Sequence, residues 1–431
     1  MPSVTVTGAH GQTVTLHLDS AANAAIARQL AGAISAGVAA GGILPATSAD
    51  GPPPAVPAGK VGEWVQQANG ITFLPSQYNA VVSTAHDAVI FGSGGANESV
   101  LAGSGNLTFF AASGSGTIVA GGGDNKVIVS PGDSGGWSIN TGGGDDQILA
   151  LGAGNDSVSA GGGRNAILFG DGRDTVASTG DDTIALGAGA ATIVAGHGAT
   201  DLVQGGSGKL LFVGGSGGAT ILGGTGSSTL YGGSGSSVLQ GGSAGHNLII
   251  AGTGHATLFG AGPGDVLYAA GSAGQKLVAG AGAETLLGVL SSGHDTLQAG
   301  GGSAVLVGGL GTDTFIAGTG HATMQSANAG DSFQFIKGEA GGIDLIKGFD
   351  GSDKISLSGY GPHAIQDALA SQTHAGGNTT ITLSDSTQIT FAGVSSLSAS
   401  NFSSGGGDHG GGHHGGEHQH GHFGHDSGGH H

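Results

Sequence analysis

The 431-residue chain contains 96 glycines and no cysteine, only 9% of its residues are charged, and its formal net charge is −19. The acidic balance excludes partners that are held through their phosphates, such as nucleic acids, because their recognition needs a basic surface. The lack of cysteine excludes a disulfide scaffold and thiolate metal sites. A hydrophobic content of 38% argues against wholesale disorder, so the composition favours a repeat with glycine in its turns.

Residues 1–44 predict a small head made of a hairpin and a helix. Polar and apolar side chains alternate through residues 3–18 around the loop sequence GAHGQ, which is typical of a β-hairpin. Asp19 and Ser20 offer an N-cap for a helix that ends before Gly41. Its apolar side chains recur every fourth residue, at Ile26, Leu30, Ile34 and Val38.

The N-terminal sequence also bears on export and membrane association. It has no basic region followed by an apolar core, so no cleaved signal peptide is expected. The helical segment carries Arg28 and Gln29 among small side chains, and no membrane span is expected either.

The rest of the chain divides by composition. A proline-rich stretch predicts a stiff linker, and glycine-rich repeats dominate the centre. The predicted segments are the linker 45–60, an entry cap at 61–97, the repeat body 98–335, a C-terminal cap with a secretion region at 336–402, and a Gly/His-rich tail at 403–431.

The repeat body predicts a parallel β-roll, a flattened solenoid. Three consecutive nine-residue units, 214–222, 223–231 and 232–240, each combine a glycine-rich turn with a short strand. Two units make one coil, and roughly thirteen coils at about 4.8 Å would extend for about 60 Å. The eighth position is expected to point inward, at Ile148, Val158, Ile167, Val176, Ile184, Ile193, Leu202, Phe212, Ile221, Leu230, Val238 or its neighbour, Leu258, Leu286 and Leu306.

Acidic residues at the sixth position recur once per coil. Asp156 and Asp174 lie two units apart, and Asp295, Asp313 and Asp331 repeat the same interval twice. Carboxylates stacked in this way repel each other unless a cation lies between them, and calcium prefers six to eight oxygen ligands. The alternative is that aspartate is simply common in turns, because it bonds its own backbone. A looser column is expected on the opposite edge, at Asp146, Asn165 and Asp182.

The centre of the body lacks these acids. Small neutral residues stack without repulsion, so the centre is expected to need no ion. The residues assigned to the sixth position there are Ala191, Thr200, Ala219, Ser228, Ser237 and Ala256. Calcium clamps are therefore expected near residues 146–182 and 295–353, on either side of an ion-free centre.

These repeats resemble a known family. Units such as Gly142, Gly144, Asp146 and Ile148 are similar to the nonapeptides of the RTX (repeats-in-toxin) calcium-binding β-roll. The resemblance extends to residues 342–359, where it implies that Asp344, Asp350 and Asp353 are further calcium ligands. Residues 379–402 are similar to the uncleaved C-terminal region that directs such proteins through type I secretion. The resemblance thus implies an all-β protein that is exported in one step and folds outside the cell with calcium.

The C-terminal tail holds a second candidate metal site. Its imidazoles lie in glycine-rich sequence and could capture Zn²⁺, Cu²⁺ or Ni²⁺, whereas a solvated terminus or an appended tag are the alternatives. The candidate ligands are His413, His414, His418, His420, His422 and His425. The chain contains no HExxH or Gly-x-Ser-x-Gly motif, and no enzymatic activity is expected.

Two outward rows complete the expected roll. The seventh position is often threonine, as at Thr175, Thr183, Thr192, Thr220, Thr229, Thr257, Thr285 and Thr314. The ninth position is often apolar and predicts one long exposed stripe, at Leu149, Leu168, Val194, Val203, Val213, Leu222, Tyr231, Ile250, Phe259, Tyr268, Val278, Leu287, Val307 and Ile316.

These rows suggest a function in assembly. The expected function is a secreted structural protein of the cell surface or extracellular matrix, forming a homo-oligomer, filament or layer linked by its apolar faces or its head. Surface polysaccharide or matrix is a further expected partner. The alternatives are a soluble extracellular protein that binds metal through the histidine tail and, third, a binder of ordered surfaces such as ice through the threonine rows.

Overall fold

The N-terminal head is a hairpin followed by a helix. The computed structural model describes residues 1–198 and 200–403. Strands β1 (Ser3–Thr7) and β2 (Thr13–His17) pair in antiparallel fashion, and helix α1 spans Ala21–Ala39. Ser20 is the N-cap of α1, and its Oγ accepts a hydrogen bond from the backbone N–H of Asn23 at 3.0 Å.

Thirty-three further strands continue the chain as far as residue 358, and from β4 onward they alternate between two sheets. Up to residue 213 they are β3 (Ile43–Thr47), β4 (Val61–Gln66), β5 (Gly70–Phe73), β6 (Tyr78–Ser83), β7 (Asp87–Phe91), β8 (Glu98–Ala102), β9 (Asn106–Ala111), β10 (Gly116–Val119), β11 (Lys126–Val129), β12 (Trp137–Asn140), β13 (Gln147–Ala150), β14 (Ser157–Ala160), β15 (Ala166–Phe169), β16 (Asp174–Ser178), β17 (Thr183–Ala185), β18 (Ala191–Ala195), β19 (Asp201–Gln204) and β20 (Leu210–Val213). After residue 213 they are β21 (Ala219–Leu222), β22 (Ser228–Tyr231), β23 (Ser237–Gln240), β24 (Leu248–Ile250), β25 (Ala256–Phe259), β26 (Val266–Gly271), β27 (Lys276–Val278), β28 (Glu284–Ser291), β29 (Thr296–Gln298), β30 (Ser303–Val307), β31 (Thr314–Ile316), β32 (His321–Gln325), β33 (Ser332–Ile336), β34 (Ile343–Lys347) and β35 (Lys354–Ser358).

The strands form a parallel β-solenoid of about 17 turns, which confirms the predicted fold class. Strand β3 and the even-numbered strands from β4 to β34 form one sheet, called here the even sheet, and the odd-numbered strands from β5 to β35 form the odd sheet. Each strand pairs in parallel with the strand of the next coil, as Ile148 pairs with Ile167. At about 4.8 Å per coil the roll is about 80 Å long. The thirteen coils expected for residues 98–335 correspond to β8–β33, and the roll continues beyond that segment at both ends.

The additional coils come from sequence without the nonapeptide pattern. Residues 61–97, expected as an entry cap, form β4–β7 and pair in parallel with the coils that follow. Trp64 and Tyr78 are buried there and fill the interior that single aliphatic residues fill elsewhere. Residues 45–47, the start of the expected linker, belong to β3, which pairs in parallel with β4.

A ladder of eighth-position side chains fills the interior between the sheets. Ile148, Ile193, Phe212 and Leu230 are fully buried, as the period predicts. The assignment was wrong in one unit, because Val203 is the buried residue and Leu202 is 44% exposed. In the unit that begins at Gly232, the inward residue is Leu239 and not Val238.

The head packs on the outer face of the even sheet of its own chain. The buried side of α1 consists mainly of alanines, Ala24, Ala27 and Ala31, which let the helix approach the sheet closely. Together with the hairpin they cover Val65, Ala80, Val82, Leu101 and Val119 of the roll. Of the predicted stripe, Ile34 is buried, whereas Ile26, Leu30 and Val38 are only partly buried at the border of the contact between helix and sheet. The head is therefore joined to the body by contacts, and it is not held apart by a linker.

Two hydrogen bonds fix the start of α1 to the repeat body. The side chain of Asn23 donates to the carbonyl oxygen of Thr141 at 2.8 Å. The carboxylate of Asp19 accepts a hydrogen bond from the backbone N–H of Gly143. Asn23 and Asp19, of which only Asp19 was expected to cap the helix, thus link it to the glycine-rich turn that precedes β13.

A compact cap closes the C-terminal end. Helix α2 (Ala364–Ala370) precedes the strands β36 (Thr373–Ala375), β37 (Asn378–Thr382) and β38 (Gln388–Phe391), and β38 pairs in parallel with β34. Phe402 forms a bridge to Ile355 on the last odd strand. In the part of the chain that the structure describes, no helix combines the length and the apolarity that crossing a membrane requires.

Candidate metal sites

The sixth-position side chains form two columns, one at each edge of the roll. The odd column precedes or begins the odd-numbered strands, and the even column lies at the start of the even-numbered strands. In the odd column each side chain bonds the backbone of the coil before it. Asp146 Oδ1 accepts from the N–H of Asn125 at 2.7 Å, Asn165 Oδ1 from that of Asp146 at 3.0 Å, and Asp182 Oδ1 from that of Asn165 at 3.2 Å. The column thus links successive coils without any ion.

The same ladder returns near the C-terminal end of the odd column. Asp313 Oδ1 accepts from the N–H of Asp295 at 2.9 Å, and Asp331 Oδ1 accepts from that of Asp313 at 2.7 Å. Asp353 extends the ladder by accepting from the N–H of Asp331 at 2.9 Å. These aspartates therefore share an edge with Asp146 and Asp182.

The even column holds the remaining pair of aspartates that are spaced by two units. Asp156 Oδ1 accepts from the N–H of Trp137 at 2.7 Å, and Asp174 Oδ1 accepts from that of Asp156 at 2.9 Å. Asp344 lies in the same column near the C-terminal end and accepts from the N–H of Ala322 at 2.8 Å. Asp156 and Asp174 thus lie on the edge opposite Asp146, as expected. The expectation was wrong for Asp295, Asp313 and Asp331, which lie on the edge of Asp146 because their turns precede odd-numbered strands.

Several of these carboxylates have one oxygen with no hydrogen-bond partner. The unpaired atoms are buried, and burying a charged oxygen without a partner is costly. They are Oδ2 of Asp146, Asp182, Asp201, Asp295, Asp331 and Asp344, together with Oε1 of Glu284. The described part of each column therefore has buried, unpaired oxygen atoms at two or more coils.

Burial raises the pKa of these carboxyl groups. The pKa of Asp146, Asp156 and Asp295 rises to about 6, and that of Asp344 and Glu284 rises to about 7. In each case loss of hydration outweighs the backbone hydrogen bonds, which act in the opposite direction. A cation at these oxygens would reverse the balance and favour the ionised form.

The donor set fits a hard cation. A Cβ atom at Gly172 would overlap the carbonyl oxygen of Gly154 and would lie 2.8 Å from Asp174 Oδ1, so carbonyls and carboxylate crowd the same glycine turn. Among residues 1–198 and 200–403, no three His, Asp or Glu side chains converge on one point. A calcium ion held here would therefore be bound by one or two carboxylates and by backbone carbonyls of adjacent turns, which are ligands that calcium accepts.

Other predicted ligands have both oxygens engaged or lie at the surface. Asp313 Oδ2 accepts from the N–H of Gly309 at 2.6 Å, and Asp353 Oδ2 accepts from that of Asp350 at 2.9 Å. The carboxylate of Asp350 is exposed and bonds Ser352 in its own turn. These three carboxylates have the turn-stabilising contacts that the alternative interpretation expects.

Sequence reasoning missed several column members, among them Asp201, Asp265 and Glu284. Asp201 lies in the odd column within the region assigned to the neutral centre, because the sixth position there is Asp201 and not Thr200. Asp265 and Glu284 occupy the even column in the turns GAGPGD and GAGAE, whose glycine spacing could have revealed them. Both oxygens of Asp265 accept backbone N–H groups. Glu284 keeps one oxygen unpaired.

Three separate segments match the family model described as the RTX calcium-binding nonapeptide repeat (4 copies), at residues 141–176, 213–243 and 291–324. The chain therefore contains RTX-type repeats. The predicted resemblance is thereby confirmed, and calcium is the cofactor that RTX repeats support. No match is found among curated protein sequences.

The RTX matches include coils with and without acidic columns. The first and third segments contain Asp146 and Asp295, whereas residues 213–243 have Ala219, Ser228 and Ser237 at the sixth position. The glycines and inward apolar residues of the matched segments therefore define the repeat even where a carboxylate is missing. The histidines expected to bind Zn²⁺, Cu²⁺ or Ni²⁺, from His413 to His425, lie outside the described residues.

Replacing Asp201 by asparagine is expected to weaken calcium binding. The substitution keeps the acceptor for Ser178 Oγ, which lies 2.8 Å from Asp201 Oδ1, but removes the charge of the unpaired Oδ2. We expect at least about a tenfold lower affinity at one class of sites, equal to about 1.4 kcal/mol, in calcium titration calorimetry. The exposed Asp171→Asn is the matched control and should leave the isotherm unchanged. Equal isotherms for both variants would exclude Asp201 as a ligand.

Proposed function

We propose that this RTX-type protein is a non-enzymatic structural component of the cell surface or extracellular matrix, which calcium stabilises and which assembles with copies of itself. The observation that carries the proposal is the row of buried, half-unpaired carboxylates along the edges of the roll. A cation bound there would join one coil to the next along the solenoid, and its effect would be on the stability of the body.

The distribution of the carboxylates supports a structural role. They lie one per coil and bond the coil before, so they are spread along the edges and do not gather around one cleft. In a solenoid each coil contacts only its neighbours, and stability depends on the interfaces between coils. Ligands placed at those interfaces act where a solenoid is weakest.

The proposed location follows from the chemistry of the cation. Millimolar calcium outside cells fills sites of modest affinity. Export by type I secretion, which the similarity of residues 379–402 implies, would bring the chain to that calcium. In the structure this segment contains β37 and β38 and belongs to the C-terminal cap, so the same residues would also complete the fold.

The two alternative functions have less support from the described residues. The ordered-surface function needs a regular threonine row, but Leu211, Leu248 and Val266 interrupt the seventh-position row on the even sheet. On the odd sheet Leu202, Val238 and Lys276 interrupt it. Metal binding by the histidine tail rests on the sequence alone.

Electron microscopy of the purified full-length chain tests the proposal. The protein is imaged at a few millimolar calcium and again after chelation, and circular dichroism is recorded on the same samples. We expect ordered filaments or layers with calcium and their loss, together with strand signal, after chelation. Monodisperse rods with identical spectra in both conditions would contradict both the assembly and the structural role of calcium.

A further inference from the structure

The two outer faces of the roll differ in their chemistry. The ninth-position residues were expected to form one stripe, but they alternate between the two sheets and therefore lie on opposite faces. Val203, assigned to that stripe, is buried. The odd sheet carries Lys126, Lys276 and Lys354 on its outward positions. The outward positions of the even strands from β18 to β30, called here the even face, carry no charged residue.

The even face is apolar and exposed. Val194, Val213 and Tyr231 are 47%, 36% and 37% exposed in its ninth-position row. A soluble protein rarely leaves such a continuous apolar surface uncovered unless it is used in an interaction. In a chain with a net charge of −19, a charge-free face is also the place where two copies can approach with the least repulsion.

An irregular strand adds to the exposed apolar surface of the even face. Strand β28 is eight residues long, and its register with β26 shifts between Tyr268 and Ala270. The extension exposes Val289 and Leu290 by 50% and 58%, and Leu310 on the next coil is 72% exposed. The N–H of Leu310 bonds the carbonyl oxygen of Ser291 at 3.1 Å, so these side chains lie on neighbouring coils. Nothing in the regular repeat requires this extension.

The even face lies in line with a surface that the chain already uses for packing. The head covers Val65, Val82, Leu101 and Val119, which lie in the same outward row at the N-terminal end of the even sheet. Beyond the head this row passes through smaller side chains on the next three even strands and becomes apolar again at Val194. The residues outside the described range after 403 include only one large apolar side chain, Phe423, and cannot supply a comparable cover.

We propose that the even face binds the even face of a second copy about a two-fold axis near β24. The inference rests on the proposed assembling function and names the partner and the surface. Two sheets stack face to face at about 10 Å, with their side chains interdigitating. Seven strands at about 4.8 Å, with a mean length of five residues at about 3.3 Å per residue, give roughly 550 Å² per copy, which approaches the lower end of the standard interface size.

Sedimentation velocity of the full chain in calcium tests this pairing. The wild-type protein is expected to form dimers or larger assemblies, and Leu290→Asp is expected to raise the dissociation constant at least about tenfold, because each copy would then bury a charge in an apolar interface. Leu222→Asp is the matched control, because Leu222 is 42% exposed on the odd sheet. A monomeric wild type, or equal effects of the two substitutions, would overturn the proposal.

Cysteine cross-linking locates the interface independently. Because the chain has no cysteine, Ile250→Cys on β24 introduces a single thiol close to the expected two-fold axis. Oxidation should give a disulfide-linked dimer for Ile250→Cys and none for Leu222→Cys. Equal cross-linking of both, or binding of the even face to neutral lipid vesicles in place of a second copy, would overturn the proposal.

The same samples separate this inference from the proposed function. The change in melting temperature after chelation is measured for the wild type, Leu290→Asp and Leu222→Asp. Loss of dimers with an unchanged calcium effect is expected for Leu290→Asp. If calcium-dependent assemblies form equally well with Leu290→Asp, the even face is not the interface, but the proposed function stands. If the melting temperature does not change on chelation, the proposed function is wrong.

Discussion

Chelation of calcium is expected to lower the melting temperature of this protein much more at pH 8 than at pH 5. Burial raises the pKa of Asp146, Asp156 and Asp295 to about 6 and the pKa of Asp344 to about 7. At pH 8 without calcium these carboxylates are ionised in a site that hydrates them poorly. A bound cation or a bound proton relieves the same penalty, so acid should substitute in part for calcium.

The sign of the effect follows from proton binding. In the unfolded chain these carboxyl groups have an ordinary pKa near 4, so between about pH 8 and pH 4 the folded chain binds more protons than the unfolded one. The free energy of unfolding of the calcium-free protein therefore rises as the pH falls through 7 and 6. It levels off once the pH falls below the unfolded pKa, since both states are then protonated.

The expected size can be measured by thermal scans in chelator across this range. At about 1 kcal/mol for each carboxyl and about 2 °C per kcal/mol, several carboxyls acting together shift the melting temperature by roughly 5–10 °C. Asp146→Asn should flatten the profile, whereas the exposed Asp171→Asn should not. If the melting temperature of the calcium-free protein decreased as the pH was lowered from 8 to 5, the raised pKa values of these carboxyl groups would be contradicted.

The repeat period predicted most of the roll because it reports burial directly. Each unit places one apolar residue inward, and the inward residues Ile148, Ile193 and Phe212 could be found by counting from the glycines. Counting fails where a coil changes length. Asp182 and Asp201 stack although their separation exceeds two units by one residue, and that extra residue lies in the turn and not in the strand. Sequence alone does not distinguish these two places, and a shift of one residue exchanges the inward and outward faces.

The chemical state of each acidic residue was harder to predict than its position. Asp146, Asp313 and Asp350 were all predicted calcium ligands, but one has an unpaired oxygen, one has two backbone partners and one lies at the surface. The differences come from the length and path of the glycine turn beside each carboxylate. Asp313 Oδ2 and Asp350 bond N–H groups of their own turns, and the path of a glycine-rich turn is not fixed by its sequence alone.

The position of the head also depended on tertiary contacts. A helix with Ile26, Leu30 and Val38 in one row is expected to bury that row, yet the chain buries the alanine side next to it. The alanines of α1 pack on Ala80 and Val82 of the sheet, and a helix with small side chains can approach such a surface more closely. Choosing between the two sides of α1 requires the shape of the surface that it covers.

The second large effect is expected for Phe333→Ala at the C-terminal end of the roll. Phe333 is fully buried, and its ring stacks on that of Phe315 with the centroids 4.9 Å apart and the planes inclined by 7°. On its other side the ring of Phe349 lies at 5.8 Å, and Phe349 in turn contacts Phe391 of the cap at 5.1 Å. This aromatic row joins the last coils of the roll to β38.

Truncating the central ring removes contacts on both of its sides. We expect a loss of about 3–5 kcal/mol in the free energy of unfolding, as is usual for replacing a buried phenylalanine by alanine. Because coils of a solenoid contact only their neighbours, the loss should concentrate in residues 331–402 and should leave the head and the first coils protected. Hydrogen exchange followed by mass spectrometry measures this protection segment by segment.

Two variants make the result specific to the aromatic row. Phe259 lies on the outer side of the odd sheet and is only partly buried, so Phe259→Ala should cost less than about 1 kcal/mol. Phe333→Leu keeps most of the volume and should recover a large part of the stability, since volume-conserving changes are tolerated best. If Phe333→Ala instead raised exchange evenly from β4 to β38, the roll would unfold as one cooperative unit. The cap would then be stabilising every coil and not only those that touch it.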